Sequence, residues 1–171
     1  MMTQQTASGI SKAELLEALR AGERDVVERL GSLPAEEFEK GRYEGGWNGR
    51  QILAHVASIE WTLPRLIEVA REASAGGQPK SEPAASTGFR GGNADYNDRQ
   101  VEKRAEASVA ELIEEFRTNR AAIIAAVEAL DDALLEVPVR SAGGVTGPLS
   151  RVYQVLGVMH VGMHVNDIVG R

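Results

Sequence analysis

Four long stretches of this chain repeat apolar residues at intervals of three and four, and none alternates them one by one. That spacing belongs to amphipathic helices, so the fold expected is all-α. The first stretch opens on Ser11, Lys12, Ala13 and Glu14, which has capping-box form. It continues through Leu15, Leu16, Leu19, Val26, Val27 and Leu30 until Gly31 ends it. Pro34 followed by Glu36 and Glu37 predicts one short helical turn. The second long stretch starts near Asn48, with Gln51 reaching back to the cap, and presents Ile52, Val56, Ile59, Leu63, Leu66 and Ala70 on one face. Pro64 lies inside this pattern and removes a backbone donor, which predicts a kink near Glu60 rather than a break.

From about Ala73 to Gly92 the chain is rich in Gly, Ser, Pro and Ala, the composition of a long mobile connection that crosses over a bundle or covers a site. Helical spacing resumes near Asn93 and runs to about Leu130. Ser108 and Glu111 form a further capping box within it, so two helices or one bent helix are expected. The second part carries the stripe Leu112, Ile113, Phe116, Ile123, Ile124, Val127 and Leu130. Asp131 to Leu135 adds one turn, Pro138 to Gly147 forms a loop with extended character, and Gly147 and Pro148 introduce the last helix, Leu149 to about Val169.

A length of 171 residues suits one domain, 1–171, with residues 1–9 as a disordered tail. The net charge is −6, and Lys and Arg are scattered singly among acids, so no basic stripe is present to neutralise phosphates; nucleic acid is not an expected partner. The most apolar segment, Val152 to Val169, is interrupted by Gln154, His160, His164, Asn166 and Asp167, which argues against a membrane span. The first residues lack a basic patch followed by an apolar run, so the expected compartment is the cytoplasm. Cysteine is absent, so any metal must be held by nitrogen or oxygen.

All three histidines fall on predicted helices. His160 and His164 are four residues apart and project from one face, and His55, three residues after Ile52, lies on the core side of another helix. Histidines on facing helices can converge inside a bundle, where such folds build metal sites. Three imidazoles suit zinc, nickel, iron or copper and leave room for an outside ligand. On chemistry alone this reading and that of hydrogen-bonded core histidines stay level. Two carboxylates are candidates for supporting roles: Asp167, three residues after His164, as an orienting partner, and Glu60, five after His55, as an acid or base swung inward by the proline kink. Trp47 and Trp61 are expected to pack. Arg117 and Arg120 are expected to pair with surface glutamates.

The run Trp47, Asn48, Gly49, Arg50, Gln51, Ile52, Leu53, Ala54, His55, Val56, Ala57, together with His160, Val161, Gly162, Met163, His164, resembles the DinB-like superfamily. That superfamily includes DinB/YfiT proteins and the N-terminal domains of mycothiol-dependent maleylpyruvate isomerases, whose third helix the stretch Asn93 to Arg120 resembles. The resemblance implies an up-down-down-up four-helix bundle of DinB/YfiT-like type with a long connection between helices two and three. It also implies one divalent metal ion, zinc or nickel, on His55, His160 and His164. Some relatives use such an ion with a low-molecular-weight thiol, mycothiol or bacillithiol, as transferases or isomerases on small-molecule substrates. Two departures stand against the isomerase itself: His160 occupies a position where those isomerases have glutamate, and the sequence ends soon after the fourth helix, where they continue. The alternatives are a non-catalytic small-ligand-binding or stress-response bundle with an anchoring metal, and a homodimer scaffold with a structural one.

Overall fold

Helix α1 (Lys12–Asp25) begins on a reciprocal capping box: Ser11 Oγ accepts from the Glu14 amide at 3.2 Å and the Glu14 carboxylate accepts from the Ser11 amide at 2.9 Å. The structure is a computed structural model, which describes residues 9–43, 46–76 and 92–170. The helix widens into a π turn over Val26–Leu30 and ends at Gly31, whose φ of −66° stays right-handed, without the left-handed ending that glycine often supplies. Pro34 then leads into α2 (Ala35–Phe38).

Asn48 and Gln51 cap α3 (Gly49–Glu60) as expected, but Pro64 does more than kink the rod. It has no N–H to give Glu60, so the Leu63 amide takes the Glu60 carbonyl instead, at 3.2 Å, and the rod divides into α3 and α4 (Pro64–Ser74). Backbone angles at Trp61 and Leu63 remain right-handed, and Leu63, Leu66, Ile67 and Ala70 continue the buried stripe. Residues 1–8 of the expected tail, 1–9, and residues 77–91 of the expected connection lie outside the described residues. Gly9, described, packs on Ser150, whose Oγ a Cβ there would approach to 1.9 Å. Helix α5 (Gly92–Glu102) and helix α6 (Val109–Ala129) are separate, the second capped by Ser108 and Glu111. After a 3₁₀ turn (Asp132–Glu136) comes a correction to the loop expected there. Strands β1 (Pro138–Arg140) and β2 (Thr146–Pro148) form an antiparallel hairpin, with Val139 opposite Gly147. Strands of three residues are too short to show an alternating pattern. The last rod is α7 (Leu149–Tyr153), a π turn (Gln154–Met159) and α8 (His160–Val169).

Contacts along the four rods fix their directions. Lys12, at the start of α1, donates to the Leu130 carbonyl after the end of α6, and Arg117 pairs with Glu23, so α1 and α6 run antiparallel. Arg50 at the start of α3 donates to the Ala105 carbonyl ahead of α6, and Asn119 donates to the Ala57 carbonyl, so α3 and α6 run the same way. Arg29 at the end of the first rod bonds Asn166 near the end of the last, making those two parallel. The order is up, down, down, up. Parallel second and third rods force the chain to return along the bundle between them, which is why the stretch from Ser74 to Val109 is long and carries α5.

The rods meet at Arg120. A surface position is expected for this residue, and the structure corrects that: it is fully buried and, from the third rod, hydrogen-bonds to each of the other three. Its guanidinium donates to both Glu60 oxygens, at 2.6 and 2.9 Å, to the Leu19 carbonyl at 2.9 Å and to the Gly157 carbonyl at 2.7 Å, and lies over the Phe116 ring. Gly22 makes room for the guanidinium, and Gly157 lets its own rod approach the first. A Cβ on Gly22 would stand 3.2 Å from the Arg120 Nη1, and one on Gly157 would stand 3.1 Å from Leu19. Apolar clusters flank the pair on both sides, one around Leu19, Leu63, Ile123 and Tyr153, the other around Val26, Ile52, Phe116 and Val161. Arg117, by contrast, pairs with Glu23 and Glu114 on the surface, as expected.

Removing one charge of a buried pair strands the other, so Glu60→Gln is expected to cost about 3–5 kcal/mol in urea unfolding. The double replacement Glu60→Leu with Arg120→Met is expected to cost less than Glu60→Gln alone. A loss under about 1 kcal/mol for Glu60→Gln would show that the pair does not hold the rods together.

Candidate metal centre

His55 reaches the core because its neighbours on α3, Ile52 and Val56, are buried and set that face inward. His160 opens α8 immediately after the π turn, and His164 lies one turn further on. Single π turns recur at functional sites because they insert a residue and re-aim the side chains beyond it. The three side chains meet: one nitrogen of each lies within 4.8 Å of the others. Ring centroids are 5.4 Å apart for His55 and His160, 5.2 Å for His55 and His164, and 4.4 Å for the helical pair, each pair edge to face. His160 Nε2 and His164 Nε2 face one another at 3.0 Å. Two nitrogens bound to one tetrahedral ion would stand about 3.3 Å apart, so little movement separates this geometry from a chelating one.

The electrostatics favour uncharged rings. Burial, then the His164 and His160 charges, push His55 down to about 3. Burial and then His164 push His160 down to about 4. Burial also lowers His164, with Asp167 opposing. Neutral imidazoles are what a metal needs. His55 Nδ1 and His160 Nδ1 are buried and find no hydrogen-bond partner among the described residues; a cation bound at His55 Nδ1 would offset that cost there, whereas His160 faces His164 through its other nitrogen. A donor set of three nitrogens without sulfur fits zinc, nickel, iron or copper.

The two supporting carboxylates separate. Asp167 lies 3.4 Å from His164 Nδ1. Glu60, which the proline is expected to swing toward the histidines, faces the bundle axis instead, with both oxygens on Arg120. Burial raises its carboxyl and the guanidinium opposes that. Trp47 packs as expected, its ring 5.0 Å from that of His55 and its Nε1 donating to Asp98 at 3.1 Å. Trp61 does not: it is 57% exposed, because it sits on the turn that Pro64 imposes. Tyr43 is a residue that sequence reasoning misses. Its hydroxyl donates to Asp167 Oδ2 at 2.5 Å and lies 3.2 Å from His164 Nδ1. No spacing rule links Tyr43 to a histidine more than a hundred positions away; only the closed loop between Gly41 and Asn48, bridged across its base, brings it there.

These depressed values set the pH dependence of the metal-free protein. The unfolded chain protonates its histidines near the ordinary value of 6.5, the folded chain only near 3 to 4 for His55 and His160, so the unfolded state binds more protons between those limits. Stability contributed by the neutral rings is therefore complete above pH 6.5 and lost progressively as pH falls toward 4. Urea unfolding across this window is expected to show that slope, and His55→Gln to flatten it by up to about 1.4 kcal/mol per pH unit. An unchanged slope would mean that His55 titrates normally in the fold.

Among curated proteins, none matches the sequence. Solved structures do. A mycothiol-dependent maleylpyruvate isomerase superposes with a TM-score of 0.66 at 18% identity over 93% of this chain, which spans 61% of that protein's length. YfiT from Bacillus subtilis, described as a probable metal-dependent hydrolase with an unusual four-helix bundle topology, gives 0.69 at 14% identity, covering 99% of this chain and 90% of that one. The colibactin self-resistance protein ClbS, solved with double-stranded DNA, gives 0.66 at 13% identity over 92% of this chain and 93% of its own. At these identities the likeness is one of fold. A family model of the DinB superfamily matches residues 18–168, a span that reaches into all four rods and contains all three histidines, and on that match this chain belongs to the DinB superfamily.

Proposed function

We propose that this protein is a divalent-metal-binding DinB-like protein in which His55, His160 and His164 hold zinc or nickel. We further infer that it works in the cytoplasm as a metal-dependent transferase or isomerase on a small-molecule substrate, with a low-molecular-weight thiol such as mycothiol or bacillithiol as its partner. The single observation that carries the reading is the convergence of three imidazoles from two rods, His55 and His164 buried and His160 half-buried. Three protein ligands leave at least one position of a tetrahedral ion open, where a bound thiol or water would be acidified into a nucleophile at neutral pH.

The chain's own residues supply the surroundings. Burial keeps the rings neutral, and the Trp47 indole walls off His55. Trp47 also lines a cavity of about 340 Å³ with Arg50, Gln51, Ala54, Asp98 and Val101, a cavity that the three histidines themselves do not line. That volume is in the range of small-molecule sites. The names of two structural relatives, a mycothiol-dependent isomerase and a probable metal-dependent hydrolase, add support. DNA, present with ClbS, is not the partner proposed: the net charge is −6, and Arg20, Arg24, Arg71, Arg104 and Arg117 each pair with a glutamate. A homodimer is the assembly proposed, two-fold pairs being the commonest.

One observation favours a second reading, a non-catalytic small-ligand binder with an anchoring metal. Glu60 is committed to Arg120, and Asp167 lies beside Nδ1 of His164, away from the nitrogen that faces His160. Neither serves as a ready acid or base. Protein purified from cells is expected to carry about one divalent ion per chain, and His160→Ala to lose most of it. Equal metal content in both would refute the centre. With metal confirmed, turnover of electrophilic acceptors by mycothiol or bacillithiol supports the transferase or isomerase; no acceleration of any acceptor supports the binder.

A further inference from the structure

The loop between Gly41 and Asn48 touches both histidine-bearing rods. Trp47 rests against His55, and Tyr43 reaches His164. The loop is pinned at several points. Gly41 and Asn48 form a bridge, the Arg42 amide donates to the Trp47 carbonyl at 3.1 Å, and Arg42 Nε donates to the Ile168 carbonyl at 3.0 Å, tying the loop to the end of α8. The Gly46 amide donates to the Tyr43 carbonyl at 3.1 Å, and a Cβ on Gly46 would come within 2.8 Å of the Tyr43 Cβ, so Gly46 packs closely against the tyrosine.

Donor and acceptor chemistry dictates where the protons sit. A carboxylate only accepts, so the 2.5 Å contact between Tyr43 and Asp167 consumes the phenol proton. The phenol oxygen retains lone pairs toward His164 Nδ1, 3.2 Å away, and a contact there is favourable only if Nδ1 carries a proton. Nε2 of the same ring is then a bare lone pair, and it is the nitrogen facing His160.

We propose that Tyr43 is a positioning residue for His164: the chain from His164 Nδ1–H to the Tyr43 hydroxyl to the Asp167 carboxylate fixes one tautomer and ring orientation, presenting Nε2 to a divalent cation. This rests on the metal-binding reading above and deepens it. Partners of this kind raise ligand basicity and cut the cost of ordering the ring. Among the three histidines the arrangement is asymmetric, because the Nδ1 atoms of His55 and His160 have no hydrogen-bond partner among the described residues. His164 is thus the ligand set in advance, and the other two adjust to it.

The test uses the full chain, metal-free and titrated with zinc. Tyr43 is 39% exposed, so Tyr43→Phe removes the hydroxyl without opening the core, and circular dichroism confirms the fold. Long-range ¹H–¹⁵N spectra of the metal-free protein, with His164→Ala to assign the ring, report the tautomer directly. Wild type is expected to hold His164 as the Nδ1–H form; Tyr43→Phe is expected to mix in the Nε2–H form and to weaken zinc binding by about 10- to 100-fold. Asp167→Asn is expected to change both readings in the same direction. An Nε2–H tautomer in wild type overturns the proposal, as does an unchanged tautomer in Tyr43→Phe, whatever its zinc affinity. Should the tautomer shift while neither protein binds zinc, the positioning holds and the metal reading alone fails.

Discussion

A guanidinium placed where four rods cross is costly unless each of its donors is used, and Arg120 directs them to the Glu60 carboxylate and to backbone carbonyls of Leu19 and Gly157. Those partners are not scattered. Glu60 comes after His55 on the second rod, and Gly157 precedes His160 on the fourth by less than one turn. The same crosslink that joins the rods therefore fixes how the two histidine-bearing helices sit against each other. A register shift of either rod would break hydrogen bonds to a buried charge, so the geometry of the imidazole cluster is inherited from an interaction outside it.

Burial keeps the cluster neutral, His55 and His164 lying among the helix positions that supply Ile52, Val56, Val161 and Val165 to the second apolar layer. Burial there has two consequences. It holds the rings in the uncharged form that binds metal, and it leaves polar nitrogens that nothing in the apolar wall can satisfy. Among the described residues, the loop after α2 brings polar chemistry to this end of the bundle, by way of Tyr43 and the indole of Trp47.

Much of this is legible in the sequence because local rules govern it. Three capping boxes, at Ser11, Asn48 and Ser108, stand where residue chemistry puts them, and the helical spacing of His55, His160 and His164 suffices to bring them to one face each. The features that escape are non-local. Arg120 reads as a surface residue since nothing nearby in sequence reveals that Gly22, on another rod, leaves space for it, or that the Gly157 carbonyl on a third accepts from it. Glu60 stands out in the sequence but points to the wrong partner, because the Pro64 turn directs it along the bundle axis. Tyr43 escapes because its role depends on a loop closure, and the π turn ahead of His160 has no spacing signature beyond a single glycine.

The bundle belongs to a family of such folds, the crosslink sets its register, and three imidazoles meet at one end with one of them already oriented. The most direct measurement of that claim is X-ray absorption at the zinc edge of zinc-loaded protein. The result expected is three imidazole nitrogens at about 2.0–2.1 Å with one further light ligand, falling to two imidazoles in His55→Ala. A site with fewer than three imidazoles in the wild type, or one unchanged by the loss of His55, would contradict it.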